Sequence, residues 1–263
     1  MARSSFYYHI KHSPSADKYK GLKDCISSIF HQHKGRYGYR RVTLELRKEY
    51  PTINHKTVKK LMDELNLKCT VRKVKYRSYK GDVGKTAPNL LNRDFSADRP
   101  YQKVATDVTQ INIGSSKLYL SPVLDMFDGE ILSYVISDSP NLKMVMDMLK
   151  QLYEKIDIPK GMLMHSDQGW HYQHSAYQRS LKSHHIVQSM SRKGNCLDNS
   201  MMENFFGIMK SELLYANKYT SMELFIEELK KYIDYYNNSR IKLRLNGMSP
   251  VEYRESYLAS HIV

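Results

Sequence analysis

The sequence predicts an α/β protein in which a mixed-sheet domain follows a small helical region. Apolar residues recur at helical spacing in the first 65 residues, whereas strand-like alternation begins near residue 100. The excess positive charge is also confined to the first third of the chain. We therefore expect a helical region at 1–65, a basic linker at 66–98 and an α/β domain at 99–263.

The helical region is predicted to contain three helices, at about 15–33, 40–50 and 54–65, the last capped by Asn54. Two helices joined by a short turn, with a basic outer face, are typical of a helix-turn-helix. The candidate DNA-binding side chains of this face are Arg40, Arg41, Lys56, Lys59 and Lys60. The alternative is an ordinary three-helix bundle with solvated lysines.

The charge is distributed unevenly. Residues 1–99 hold 23 Lys and Arg against 9 Asp and Glu, and residues 100–263 hold 18 of each, so the net +14 lies in the first part. Such a block favours a nucleic-acid partner over a merely basic surface. The linker at 66–98 interleaves basic residues with tyrosine, glycine and proline, which suits a segment that follows a phosphate backbone. Val71 and Val74 indicate a brief strand within it.

The α/β domain is predicted from a hairpin followed by a helical crossover. The expected elements are strands at 102–112, 117–126 and 130–137, a helix at 141–153 and a strand that ends just before Asp167. A hairpin joined through a helix to a parallel strand gives a mixed sheet. Capping boxes at 220–223 and 249–252 then open two C-terminal helices.

Three carboxylates stand out on separate elements. Asp107 is expected in mid-strand, where aspartate is disfavoured, and Asp167 follows a buried strand. Glu203 borders the apolar stripe of a helix for which Asp198 is the expected N-cap, and Lys210 lies two turns further along the same face. Carboxylate oxygens are the ligands that Mg²⁺ prefers. For the helix alone, the alternative is a surface helix with scattered charges.

Together the motifs resemble a known family. They are Thr-Asp at 106–107, His-Ser-Asp-Gln-Gly at 165–169 and the stretch from Lys193 to Lys210. This pattern, with 35 residues between Asp167 and Glu203, resembles the DDE transposases of bacterial insertion sequences, in particular the OrfB-type members of the IS-three family, which are similar to retroviral integrases. One departure is Val104, where the family often has tryptophan.

The resemblance implies a ribonuclease H-like catalytic core in which Asp107, Asp167 and Glu203 hold two Mg²⁺ ions, with Mn²⁺ as a substitute. It implies cleavage and strand transfer of double-stranded DNA, at the element ends and the target, with Lys210 positioning a strand. Further copies of the chain on DNA and an upstream-frame fusion partner are the implied protein partners. The alternatives are a ribonuclease H-like nuclease without strand transfer and a non-catalytic DNA-binding regulator.

Other classes of protein are not favoured by the sequence. There is no apolar run of 18 residues for a membrane span, and the first residues lack the apolar stretch of a signal peptide. Cys25, Cys69 and Cys196 are far apart, which suggests reduced thiols in the cytoplasm. A zinc site near Cys25, His31 and His33 is disfavoured because no paired-cysteine spacing exists.

Overall fold

The computed structural model describes residues 2–4, 17–69, 86–193 and 195–261. The chain divides into two compact units, 1–71 and 72–263, which are described separately. The linker residues 70–85, including the strand expected at Val71 and Val74, lie outside the described residues.

Residues 17–69 of the first unit form three helices, as the apolar spacing predicted. They are α1 (Lys20–Gln32), α2 (Tyr39–Leu46) and α3 (His55–Glu64). Ile26, Val42 and Val58 are fully buried between them. Asn54 caps α3 as predicted, since its side chain accepts a hydrogen bond from the Lys56 N–H at 2.9 Å. Helix α2 ends four residues earlier than expected, in a stretch that leads to Pro51.

The second unit is built on a mixed sheet. Its described strands are β1 (Lys103–Thr106), β2 (Thr109–Ile113), β3 (Ser116–Asp125), β4 (Ile131–Ser137), β5 (Leu163–Ser166) and β6 (Val187–Met190). Strand β3 pairs antiparallel with β4 and with both β1 and β2, whereas β1, β5 and β6 run parallel in that order. This is the mixed sheet of the ribonuclease H-like fold.

The strand predicted at 102–112 is interrupted, so the expectation that Asp107 lies in mid-strand is wrong. Strands β1 and β2 pair with β3 in one continuous register, Thr106 with Val123 and Thr109 with Leu120, and the ladder is absent at Asp107. That register sets Pro122 opposite Asp107, and proline has no N–H to donate to a ladder. The Val108 N–H instead donates to Asp107 Oδ1 at 2.8 Å.

Helices cover both faces of the sheet. Among the described residues of the second unit, the α-helices are α4 (Leu142–Lys155), α5 (Trp170–Gln173), α6 (Ser175–Ser183), α7 (Ser200–Met209), α8 (Met222–Asn238) and α9 (Pro250–Ser260). One core joins α7 and α8 to Ala105 of β1, and a second joins α4 and α6 to Val104. Because neighbouring strand residues point to opposite faces, the two cores lie on opposite sides of the sheet. None of the described helices is long and apolar enough to span a bilayer.

Residues 86–98, which the sequence assigned to a linker, pack along the second unit, and we call them the strap. The Leu90 N–H donates to Ser189 Oγ at 3.0 Å, and the Met190 N–H donates to Pro88 O at 3.3 Å. Leu91 is buried in the core shared with α7 and α8. The strap therefore covers the outer edge of β6 and is part of the second unit.

Candidate active site

Two of the predicted carboxylates follow adjacent parallel strands. Asp107 comes directly after β1, and Asp167 directly after β5. In the ladder Lys103 pairs with Leu163 and Ala105 with His165. The same register, extended by two residues, sets Asp107 level with Asp167 at the carboxyl ends of these two strands.

A rigid turn holds Asp167. The Gly169 N–H donates to Asp167 Oδ1 at 2.8 Å. A Cβ atom at Gly169 would lie 2.9 Å from that same oxygen, so a larger residue could not take this position without displacing the carboxylate. Behind the turn, the His171 ring nitrogen Nε2 lies 2.7 Å from Pro140 O. Gly169 thus helps to fix the carboxylate, and His171 ties the residues after the turn to Pro140.

Glu203 reaches the same region from α7. Its neighbours Met202, Phe205 and Phe206 are buried and seat the helix on the sheet, while Glu203 itself is half-buried. Just before α7, the Asn199 side-chain amide donates to Thr106 O at 3.5 Å. The first turn of α7 therefore lies against the end of β1, next to Asp107.

The carboxylates of Asp167 and Glu203 act electrostatically on Asp107. Burial raises the pKa of Asp107 well above its usual range, and the carboxylates of Asp167 and Glu203 raise it further, against the opposing effects of the Val108 N–H and Lys210. Burial likewise raises the pKa of Asp167, although the Gly169 N–H opposes the shift. Like charges gathered in a partly buried site favour a proton or a bound cation.

The donor set fits a hard divalent cation in its chemistry. All three side chains offer carboxylate oxygens, and their mutual repulsion is what such an ion relieves. Among the described residues, however, no group of three or more His, Cys, Asp and Glu side chains is close enough together to form a ready-made metal site. The carboxylates therefore fit the ion in donor chemistry, whereas their arrangement in the described residues is not that of a formed metal site.

Lys210 lies beside this site. Its Nζ donates to Thr109 Oγ1 at 2.9 Å, and its charge lowers the pKa of Asp107. Thr109 opens β2, directly beyond the break at Asp107 and Val108. The sequence placed Lys210 on the face of Glu203, but the contact with Thr109 could not be found from helical spacing.

Lys210 also opens a π-helical turn, Lys210–Leu214, that a buried ion pair anchors. Glu212 accepts from Arg240 Nη2 at 2.6 Å and from Arg240 Nε at 2.8 Å, and its Oε2 also accepts from the Tyr232 hydroxyl at 3.0 Å. The side chains of Arg240 and Glu212 are only 3% and 8% exposed. The pair ties the end of the Glu203 helix to α8 and the segment after it.

Asp198 does not cap α7, so that expectation is wrong. A 3₁₀ turn at Cys196–Asn199 precedes the helix, and the N-cap residue is Asn199. The buried Asp198 carboxylate instead accepts hydrogen bonds from Asn89 and Arg93 of the strap and from Arg192. The Arg192 contact holds the pKa of Asp198 well below its usual range. Asn89 and Arg93 are about a hundred residues distant in sequence, and no local signal points to them.

The candidate DNA-binding residues of the first unit fall into two groups. Arg40, Lys56, Lys59 and Lys60 are exposed, and Arg40 and Lys59 lie 5.7 and 5.9 Å from the centre of the Tyr39 ring. Arg41 turns toward its own unit: its Nη1 donates to Arg36 O at 3.3 Å, and its guanidinium lies 5.5 Å from the Tyr37 ring centre. The structure therefore separates Arg41 from the exposed group.

Three family models match the chain, two of an integrase core domain and one of an HTH-like domain. The integrase core domain model matches residues 97–196, and a second integrase core domain model matches residues 203–258. The HTH-like domain model matches residues 17–75, which include helices α1, α2 and α3.

Several transposases are similar over nearly the whole chain. The putative transposase InsK for insertion sequence element IS150 of Escherichia coli (strain K12) is 50% identical over 97% of this chain and 90% of its own length. An uncharacterized transposase-like protein of Haemophilus influenzae is 46% identical over 82% of this chain and 100% of its own length. Transposase InsF for insertion sequence IS3A of Escherichia coli (strain K12) is 31% identical over 89% and 82%, respectively.

Among solved structures, the catalytic core domain of HTLV-2 integrase in complex with magnesium covers 60% of this chain and 99% of that domain. Its sequence identity to this chain is 17% and the TM-score is 0.49. These values are low, and the family is established by the sequence relatives.

Proposed function

The chain belongs to the transposases of the IS-three family, and we propose that it is an OrfB-type DDE enzyme that cuts and joins DNA through Asp107, Asp167 and Glu203 with Mg²⁺ as cofactor. The observation that carries the proposal is the grouping of these carboxylates around the end of β1. The strand register sets Asp107 level with Asp167, and the charge of Glu203 acts on Asp107.

The reaction would be an in-line displacement at phosphorus, first with water and then with the 3′-hydroxyl of the element end. Asp107, Asp167 and Glu203 would hold two Mg²⁺ ions, or Mn²⁺ in their place, and the chemistry that the metal would supply is activation of the attacking oxygen and stabilisation of the leaving oxygen. The turn at Gly169 would keep the Asp167 carboxylate in place. Lys210, held by Thr109, would contact a phosphate of the reacting strand.

DNA recognition would begin in the first unit. Arg40, Lys56, Lys59 and Lys60 would contact phosphates of the element ends, because they lie on α2 and α3 with exposed, positively charged side chains. The two element ends and the target would be joined in a complex of several copies of the chain, with an upstream-frame fusion as a further partner. We propose that the protein binds this DNA in the cytoplasm.

Carboxylate substitutions test the site. Asp107→Asn, Asp167→Asn and Glu203→Gln should each abolish cleavage and joining of labelled element ends, because an amide is a poorer metal ligand. DNA binding should remain near wild type, and EDTA should abolish both reactions in the wild-type protein. Asp138→Asn, at an exposed position, is the matched control and should retain activity. Near wild-type joining by any of the three variants would remove that residue from the site.

The two alternatives make different predictions with pre-cut ends. A transposase joins them to a target duplex, whereas a nuclease of the same fold only hydrolyses the target. A non-catalytic regulator would do neither with Mg²⁺ present. The three intact carboxylates count against the regulator, and the full-length transposase relatives count against the nuclease.

A further inference from the structure

We propose that Arg93 and Arg192 form a phosphate-binding site for the DNA strand beside the catalytic carboxylates, and that Asp198 orients both arginines. The three residues are called the arginine clamp. The inference rests on the proposed function in one respect, since it takes the anion to be DNA.

The clamp is centred on a buried carboxylate. Asp198 Oδ1 accepts from Arg93 Nε at 2.9 Å and from Arg192 Nη2 at 2.8 Å. Oδ2 accepts from Arg192 Nε at 2.9 Å, from the Arg192 backbone N–H at 3.0 Å and from Asn89 Nδ2 at 2.9 Å. With a side chain that is 0% exposed, Asp198 has no surface of its own to offer to a ligand.

The arginines, in contrast, face solvent. Their side chains are 44% and 53% exposed, although each is held by hydrogen bonds on its inner edge. Arg93 Nη2 also donates to Asn195 Oδ1 at 3.0 Å. Within the part of the chain that the structure describes, the Nη1 atom of neither arginine makes a hydrogen bond. Each guanidinium therefore presents donors outward in a fixed orientation, which lowers the entropy cost of binding an anion.

The charge of the clamp exceeds what its structure requires. One arginine would neutralise the charge of Asp198, and Arg192 alone already makes a bidentate contact with its carboxylate. The second arginine leaves a net charge of about +1 at a half-exposed position. Surplus positive charge on preoriented guanidinium groups suits a phosphate, which accepts paired N–H donors.

The position of the clamp identifies which phosphate it would hold. Asp198 is followed by Asn199, whose amide contacts Thr106 O beside Asp107, and Glu203 is in the next helix. Arg192 and Asp198 of the clamp therefore lie on the segment between β6 and the Glu203 helix, near the end of β1 that precedes Asp107. A strand that passes the carboxylates would place a backbone phosphate within reach of this loop.

The test pairs single-phosphate neutralisation with arginine substitution in the full-length chain. Element-end duplexes, each carrying one methylphosphonate linkage near the cleavage site, are titrated with wild type, Arg93→Gln and Arg192→Gln without divalent metal. In the wild type, one or two linkages should weaken binding about tenfold, as expected for a charge-assisted contact of about 1.4 kcal/mol. For Arg93→Gln and Arg192→Gln, the methylphosphonate at those linkages should weaken binding little further, because the arginine that contacts the phosphate has already been removed.

The control is Arg179→Gln, an exposed arginine on α6 outside the clamp, which should keep the wild-type methylphosphonate pattern. Far-UV circular dichroism and fluorescence of Trp170, the only tryptophan, report folding of each variant. If Arg192→Gln fails to fold, Arg93→Gln still decides the question, since Arg93 lies on the strap. The same methylphosphonate pattern in wild type and in a folded clamp variant would overturn the inference.

Cleavage and joining by the wild-type protein are measured in parallel. A wild type that joins ends but shows no coupling between the clamp and any phosphate refutes the clamp alone. A wild type that shows the coupling but neither cleaves nor joins refutes the proposed chemistry and leaves the clamp as a DNA-binding site.

Discussion

Removing Arg240 should destabilise the second unit strongly and loosen the turn that carries Lys210. Arg240 and Glu212 are paired through two hydrogen bonds, of 2.6 and 2.8 Å, with side chains that are 3% and 8% exposed. Arg240→Met keeps much of the volume but leaves the Glu212 carboxylate buried without this partner. Breaking a buried pair on one side costs about 3–5 kcal/mol, so we expect the free energy of unfolding to fall by that amount.

A double-mutant cycle separates the ion pair from packing. In the double variant Glu212→Leu, Arg240→Met no charge is left buried, and the main remaining cost is the acceptor lost by the Tyr232 hydroxyl, about 1–3 kcal/mol. The double variant should therefore be more stable than Arg240→Met alone. Tyr232→Phe is the matched control, because it removes the same hydroxyl contact without touching the pair.

The measurement is urea unfolding followed by the fluorescence of Trp170. This is the only tryptophan of the chain and lies in the second unit, so its signal reports that unit alone. Losses that simply add in the double variant, or a cost below about 1 kcal/mol for Arg240→Met, would refute the reasoning from burial. Joining activity measured well below the unfolding midpoint should also fall in Arg240→Met, because the turn at Lys210–Leu214 loses its anchor.

The remaining predictions concern contacts with DNA. Lys59→Ala should weaken duplex binding and reduce the slope of log K against log salt by about 1. Arg41→Ala should leave the slope unchanged, because the Arg41 side chain turns toward its own unit. Equal slopes for both variants would contradict the assignment. Lys210→Ala should reduce joining more than it changes the Mg²⁺ dependence. Lys210→Arg should restore part of the joining, because the proposed role is charge with an imperfect fit. Normal joining by Lys210→Ala at low DNA concentration would remove the residue from the proposed DNA contact.

The order of elements and the candidate carboxylates were accessible from sequence because they depend on local patterns. Apolar spacing located α1, α3, α4 and α7 to within a few residues. The position of Asp167 after a short apolar run placed it at the end of a strand, where the structure has it. The family motif then singled out Asp107, Asp167 and Glu203 on separate elements, and the structure makes them electrostatic neighbours.

Tertiary structure decided the features whose partners are distant in sequence. The break at Asp107 stands opposite Pro122 of a neighbouring strand, and nothing in the pattern at 102–112 foretells it. Asp198 has the residue type and the sequence position of a helix N-cap. Its carboxylate instead accepts a hydrogen bond from Arg93 of the strap, which lies 105 residues earlier in the chain. A capping rule read from sequence predicts the hydrogen bonds of a side chain when only donors close in sequence are available to it. In the folded chain, a buried carboxylate pairs with the strongest hydrogen-bond donors that tertiary packing places beside it. For Asp198 these donors are the guanidinium groups of Arg93 and Arg192.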